Sequence, residues 1–403
     1  MKTIKKFTIY LLLSVAVVGA VFTSCKDDSE DSGKTPVVKY VRITNPDSSD
    51  SLVVSAYMGS LIAIMGEDLQ GIRELWFNDQ KAKLNPAYIT SFSVLVSVPS
   101  VIPETVTDEI TMKFNDGKTL VYSFKVDVPA PMLSSLLCEY VKAGDTAIIS
   151  GNYFLPAEGL EEPVVYFPNN IKAQTIISYT MDEIQVIVPS EAGVGKITVE
   201  SMYGSTRSDF IFRDNTNLIL DFENSAYGNP WGLGGFGTEN GCSGQYLQFV
   251  GNQGAWNWVN PMMFGYWAKY GAGENPIAEG LVDNLELCFE TNIVEWSDVP
   301  MLIWFDKIGT ADGVNPDGVS AQAHWKPFNK DGVKSTYSSG GWITVSIPLT
   351  DFIYNKDESK SDLKIDNISL YSNLSFMLFG SSDATYPIDI RIDNVRVVPL
   401  KNK

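Results

Sequence analysis

The chain has 403 residues, 44% of them hydrophobic and 19% charged. That is too long for one ordinary domain of roughly 100–200 residues and apolar enough to bury several cores. Its 48 acids against 30 lysines and arginines give a formal charge of -18, which argues against a nucleic-acid partner, because phosphate binding needs clustered Lys and Arg, and suits a neutral ligand.

Residues 1–24 read as a signal peptide. Lys2, Lys5 and Lys6 form a basic start, residues 10–22 an apolar run short for a membrane span, and Thr23 and Ser24 precede Cys25. Removing the peptide takes away three lysines and no acid, so the mature charge is near -21 (-18 minus 3). The pattern resembles a bacterial lipobox, with Phe22 where leucine is usual, and implies lipidation at Cys25. Residues 25–36 form a polar, acidic tether that cannot pack a core. Its opening, Cys25-Lys26-Asp27-Asp28, resembles the export signal of Bacteroidetes lipoproteins sent to the outer face of the outer membrane. Cys138, Cys242 and Cys288 form no CxxC pair and read as small buried hydrophobes, with a Cys242–Cys288 bridge as the alternative.

From Pro36 to about Asp214, short runs of Val, Ile, Thr, Phe and Tyr alternate with Gly, Pro, Asn and Asp, the signature of strands and turns. The pattern occurs twice. Gly59 and Gly66 bracket Leu61, Ile62 and Ile64; Gly144 and Gly151 bracket Ala147, Ile148 and Ile149. An alternating strand ending in Val-Pro follows (Phe92, Val94, Val96, Val98, Pro99; then Ile184, Val186, Val188, Pro189), and proline there stops the pairing. Each copy closes with a turn glycine, Gly117 or Gly204, and a strand holding Phe124 or Phe210. These features resemble the IPT/TIG immunoglobulin-like domain and place one copy at residues 37–128 and a second at 129–213. Such domains act as spacers or contact modules. Trp76, in Leu75-Trp76-Phe77, reads as core; a ligand role for it or Tyr153 is the minority reading. Pro129 and Pro131 suggest a stiff connection.

Residues 214–403 differ. Eight of the nine tryptophans lie between Trp231 and Trp342, interspersed with glycine. Leu285, Leu287 and Phe289 alternate with Glu286, Cys288 and Glu290, which predicts one buried and one wet face. Further strands are predicted at 218–223, 343–347 and 388–397, separated by long loops, as in a two-sheet jelly roll. The fold class expected for the whole chain is thus all-β, with tandem immunoglobulin-like sandwiches followed by a jelly-roll-like β-sandwich. A core of this size holds few tryptophans, because the ring is large and carries a polar N–H. The excess predicts a flat aromatic platform for the apolar C–H face of a sugar ring, with polar side chains selecting hydroxyls around it. Trp231, Tyr266 and Trp267 are the first candidates, with Trp256, Trp258, Trp296 and Trp325 behind them. Trp304 and Trp342 adjoin apolar strands and read as structural.

A lipobox with an acidic tether, tandem immunoglobulin-like spacers and a tryptophan-rich C-terminal sandwich resembles the surface glycan-binding proteins of Bacteroidetes polysaccharide-utilisation systems, most closely the B type that binds xyloglucan and related β-glucans. The resemblance implies a polysaccharide ligand, no catalysis, a lipid anchor in the outer membrane facing outward, and a TonB-dependent transporter complex as partner. It also implies a platform at Tyr266-Trp267 with Trp231. Two alternatives remain open. A glycoside hydrolase needs two carboxylates about 5–10 Å apart; Glu286 and Glu290 share a strand face, but no E-x-D-x-x-E pattern is present, and His324, the one histidine, reads as a surface-loop residue. A structural or adhesive lipoprotein would use exposed aromatics to contact protein. No cofactor is expected except a structural Ca²⁺ held by Asp221, Glu223 and Asp393 on the first and last strands of the domain.

Overall fold

The computed structural model describes residues 35–45, 51–154, 162–223, 234–254, 262–265, 276–308, 320–330, 333–378 and 384–401. It is all-β, and the helices among the described residues are single 3-10 turns.

The first sandwich contains β1 (Val37–Ile43), β2 (Leu52–Val53), β3 (Ser55–Tyr57), β4 (Leu61–Glu67), β5 (Ile72–Phe77), β6 (Gln80–Lys81), β7 (Ser93–Ser97), β8 (Glu109–Phe114), β9 (Thr119–Ser123) and β10 (Lys125–Asp127). Its sheets run β2-β1-β4-β7 and β6-β5-β8-β9, and β10 pairs in parallel with β3. The second contains β11 (Met132–Leu136), β12 (Thr146–Asn152), β13 (Val164–Phe167), β14 (Ile171–Lys172), β15 (Ile176–Tyr179), β16 (Glu183–Ile187), β17 (Thr198–Ser201) and β18 (Gly204–Arg207), in sheets β11-β12-β16-β15 and β14-β13-β17-β18.

The repeat read from the glycines is a repeat of hydrogen bonds. The Gly59 N–H donates to the Val98 carbonyl at 3.0 Å, and the Gly144 N–H to the Val188 carbonyl at 2.9 Å. Gly66 and Gly151 face the bulges of β1 and β11, where a Cβ would come within 2.0 Å of the Val37 carbonyl oxygen or 1.9 Å of that of Met132. Gly151→Ala therefore pushes β11 off β12. A loss of about 3 kcal/mol is expected, at the upper end for overpacking, read as a lower urea midpoint; an unchanged midpoint would refute the close approach. Phe77 and Phe124 in the first core, and Phe167 and Phe212 in the second, meet edge to face. Trp76 is not core. Leu75 and Phe77 point inward, so alternation turns Trp76 outward, where its N–H donates to Glu74 and Lys81 and Lys113 lie over its ring.

The third sandwich contains β19 (Leu218–Leu220), β20 (Gly234–Gly237), β21 (Tyr246–Gln253), β22 (Met262–Gly265), β23 (Leu285–Glu295), β24 (Met301–Lys307), β25 (Gln322–Trp325), β26 (Asn329–Lys330), β27 (Val333–Lys334), β28 (Trp342–Pro348), β29 (Tyr371–Leu378) and β30 (Tyr386–Pro399). One sheet runs β20-β21-β30-β23-β28, with β19 also on β30; the other runs β22-β29-β24-β25. Their inner faces interdigitate: Phe289 of the first sheet meets Phe376 of the second edge to face, 5.7 Å between centroids.

By its contacts the chain divides into Met1–Asp127 and Val128–Lys403, so the second and third sandwiches share one unit. What joins them corrects the expected wet face of β23. Glu286, Cys288 and Glu290 are buried, because residues 137–140 of the second sandwich cover the outer face of the first sheet. Thr344 of β28 donates its N–H to the Leu137 carbonyl at 2.8 Å and accepts the Glu139 N–H at 2.8 Å. Beneath, the fully buried Arg396 grips Glu290 with both Nη atoms (2.8 and 3.0 Å) and Glu139 through Nη2 (2.7 Å). Lys401 caps Glu139 from the other side, and the Tyr140 hydroxyl donates to the Asp214 carbonyl at 2.7 Å. Two carboxylates and two cations thus pair with one another at the joint, the condition under which buried charge is tolerated.

The cysteines belong to this joint and form no Cys242–Cys288 bridge. Cys138 and Cys242 pack with Tyr140, while Cys288 meets Ser346 at 3.1 Å, and all three are free thiols. Burial pushes the Cys288 thiol up to about 12 and Cys242 well above its ordinary value, which leaves them inert as nucleophiles.

Burial also pushes Asp393 up to about 7. An acid raised by folding ionises first in the unfolded chain. Its contribution to stability therefore falls as pH rises from its ordinary value toward 7 and stays reduced above. Asp393→Asn imitates the protonated acid toward Ser243, which lies 2.8 Å from Oδ2. The variant should lose that part of the pH dependence and melt above the wild type at about pH 8, with the gap closing near about pH 4. A gap that does not change with pH would overturn this reading.

Candidate functional site

The second sheet, β22-β29-β24-β25, carries the other outer face. Strand alternation sends Met301, Ile303 and Phe305 of β24 into the core and Leu302, Trp304 and Asp306 to the opposite side. On β29, Leu374, Phe376 and Leu378 point inward and Ser375 and Met377 outward; on β25, Ala323 points inward and Gln322 and His324 outward. One row of the ladder reads Gly265, Ser375, Trp304, Gln322, and the next reads Met263, Met377, Leu302, His324.

This face is built unlike a wetted sheet surface. Trp304, Leu302 and Met377 form an apolar cluster of their own, separate from the core. Around it Asp306, Gln322, Asn373 and Ser375 are buried polar groups. The Trp304 N–H donates to Asp306 Oδ1 at 3.1 Å, which fixes both side chains. Trp304, Leu302 and Met377 are as buried as the core, so like Trp296 they are structural side chains and not a surface open to a ligand.

The aromatic run of the sequence is tied to this sheet by the covalent chain. Trp256 and Trp258 precede β22, Tyr266 and Trp267 follow it directly, and the ends of that four-residue strand are about 10 Å apart at about 3.4 Å per residue. Trp231, Trp256, Trp258, Tyr266 and Trp267 themselves lie outside the described residues, as does Cys25.

Trp296 is a correction. It is fully buried at the end of β23, donates its N–H to the Val299 carbonyl at 2.7 Å, and stacks edge to face on Trp325 and Phe328, so it is core and cannot stack on a ligand. Trp325 is half-buried, its ring against Trp296 (4.9 Å) and Phe289 (5.1 Å). Trp342 is half-exposed and donates to the Asn240 carbonyl at 2.7 Å. His324 sits on a strand, not a surface loop, and burial holds its imidazole below the usual range.

The proposed calcium ligands are separately engaged. Asp393 accepts hydrogen bonds from Ser243, Cys242 and the Asn394 N–H; Glu223 accepts the Gln245 N–H at 2.7 Å; Asp221 accepts the Glu223 N–H at 3.2 Å. Among the described residues no three His, Cys, Asp or Glu side chains converge as a metal site. Glu290, one of the two acids weighed for hydrolysis, is bound to Arg396 at the joint, and Glu286 is buried beside it. Sequence reasoning placed Trp304 as structural because it adjoins an apolar strand, and its full burial agrees.

Comparison with known proteins bears on the family of the third sandwich. Residues 212–399 match the model of the surface glycan-binding protein B xyloglucan binding domain. The crystal structure of a surface glycan-binding protein B from Prevotella bryantii is 29% identical, with a TM-score of 0.67 over 91% of this chain and 99% of that one. An IPT/TIG domain-containing protein of Bacteroides ovatus is 27% identical over 228 residues; the match spans 52% of this chain and 46% of that protein. Residues 212–399 therefore belong to the family of surface glycan-binding protein B domains, and the chain as a whole is similar to the surface glycan-binding proteins that carry it.

Proposed function

We propose that this protein is a non-catalytic binder of a β-linked polysaccharide at the cell surface, a β-glucan or a hemicellulose such as xyloglucan. The observation that carries the reading is the match of residues 212–399 to a xyloglucan binding domain, together with the Tyr266-Trp267 run that leaves edge strand β22. The aromatic rings of that run offer the apolar contact, and polar side chains around them offer directional bonds to sugar hydroxyls. The same match, to a xyloglucan binding domain, supports the ligand class. Cys25 anchors the chain through acyl groups worth about 0.8 kcal/mol per buried CH₂, and the immunoglobulin-like domains act as spacers that leave room for a transporter partner.

Affinity electrophoresis of residues 26–403 in gels containing xyloglucan, mixed-linkage β-glucan, galactomannan, xylan or starch tests the reading. Retardation by a β-glucan or xyloglucan, with no release of reducing ends, is expected. Free migration in every gel would point instead to a protein-contacting lipoprotein.

A further inference from the structure

A second cavity lies at the open edge of the third sandwich, between β25 of one sheet and β28 of the other, with a volume of about 390 Å³. Its wall holds Trp325, His324, Tyr354, Ser346 and Asp351. This composition is unlike the rest of the sandwich edge. Trp325 is clamped edge-on by Trp296 and Phe289, and its remaining surface forms part of the wall. Tyr354 lies across from His324 with 5.3 Å between ring centroids. The segment carrying Tyr354 is pinned: Gln322 donates its N–H to the Tyr354 carbonyl at 2.9 Å, and Tyr354 returns the bond at 3.0 Å. The rings are therefore fixed before any ligand arrives, which lowers the ordering cost of binding.

The polar groups of the cavity ask for a partner. Neither ring nitrogen of His324 makes a hydrogen bond of good geometry, although both are sheltered from water and the Asn355 backbone lies close by. Kept neutral by burial, the imidazole adds no charge to the wall, and its sheltered nitrogens leave Ser346 and Asp351 as the polar groups a ligand can reach. Ser346 and Asp351 stand exposed at the rim. A carboxylate there accepts hydroxyl protons and repels anions. A neutral, flat, hydroxyl-bearing ring meets all of these demands, and a charged sugar or an acidic peptide does not.

We propose that this edge cavity is a second carbohydrate subsite, taking a neutral pyranose unit of the polymer whose main contact is the aromatic platform. The inference rests on the glycan-binding reading. β25, which carries His324 and Trp325, and β22, which leads into Tyr266-Trp267, are the two edge strands of one sheet, so one sheet carries both contacts. Two weak sites on one polymer add through effective concentration. The subsite should then strengthen binding of long chains much more than binding of short ones.

The test is calorimetry on residues 26–403 with xyloglucan polymer and with a xylogluco-oligosaccharide. Tyr354→Ala removes one ring, and Asp351→Ala alters only an exposed rim group that cannot unfold the domain. Both should weaken polymer binding about tenfold, a partial loss of the roughly hundredfold or greater gain that linked sites can give, while changing oligosaccharide affinity little. Polymer binding unchanged in both variants overturns the subsite and leaves the platform intact. A wild type that binds neither probe overturns the glycan reading itself.

Discussion

Arg396→Met is expected to destabilise the Val128–Lys403 unit by about 3–5 kcal/mol, the cost of breaking a buried ion pair by removing one partner. The side chain is fully buried and serves two carboxylates at once, Glu290 and Glu139, from opposite sides of the joint. Methionine fills much of its volume but leaves both acids without their shared cation, and Lys401 reaches only Glu139 at close range. The loss should appear in chemical denaturation as a lower midpoint. Changing Glu139 and Glu290 to leucine in the same chain should recover most of the stability, since replacing a whole buried ion cluster by apolar residues is often neutral or better. If the triple variant is no more stable than Arg396→Met alone, packing and not unpaired charge explains the loss.

Trp267→Ala should abolish gel retardation by the polysaccharide while leaving the melting temperature nearly unchanged. Truncating an aromatic anchor at the centre of a binding surface costs about 2 kcal/mol or more, an affinity loss of about thirtyfold. A surface residue outside the core changes stability by only about 0.5 kcal/mol. Tyr266→Ala should act in the same direction. The two readouts separate a platform from a core residue: lost binding with an intact melt supports the platform, whereas a large drop in melting temperature would assign Trp267 to the core, as the structure assigns Trp296.

The comparison between Trp296 and Trp304 shows what a sequence can and cannot reveal here. Tryptophan density marked the right domain, because excess aromatic surface is a compositional fact. It did not mark which rings are buried. β23 has bulges at Cys288/Glu290 and Ile293/Glu295, so strict alternation cannot be counted through to Trp296. Trp304 read as structural because both faces of β24 are apolar, and it is fully buried. The two immunoglobulin-like sandwiches were legible because their information is local, in glycines seven residues apart and Val-Pro strand ends. The charged joint was not, since Glu139 and Arg396 are 257 positions apart. One trace of it was readable: Asp393-Asn394 interrupts the alternation of β30, and Asn394 has the positive φ of a bulge.

The joint and the Trp304 face occupy opposite layers of one sandwich. The second sandwich covers the outer side of the β20-β21-β30-β23-β28 sheet, and sheets packed face to face are about 10 Å apart. The second sandwich therefore leaves from behind the sheet whose edge strand β22 leads into Tyr266-Trp267. If the proposed platform lies on that side, a long chain laid across it would enter on one side and leave on the other without running into its own support. Capture would then need no free chain end, and the middle of an uncut polymer would be as good a target as its terminus.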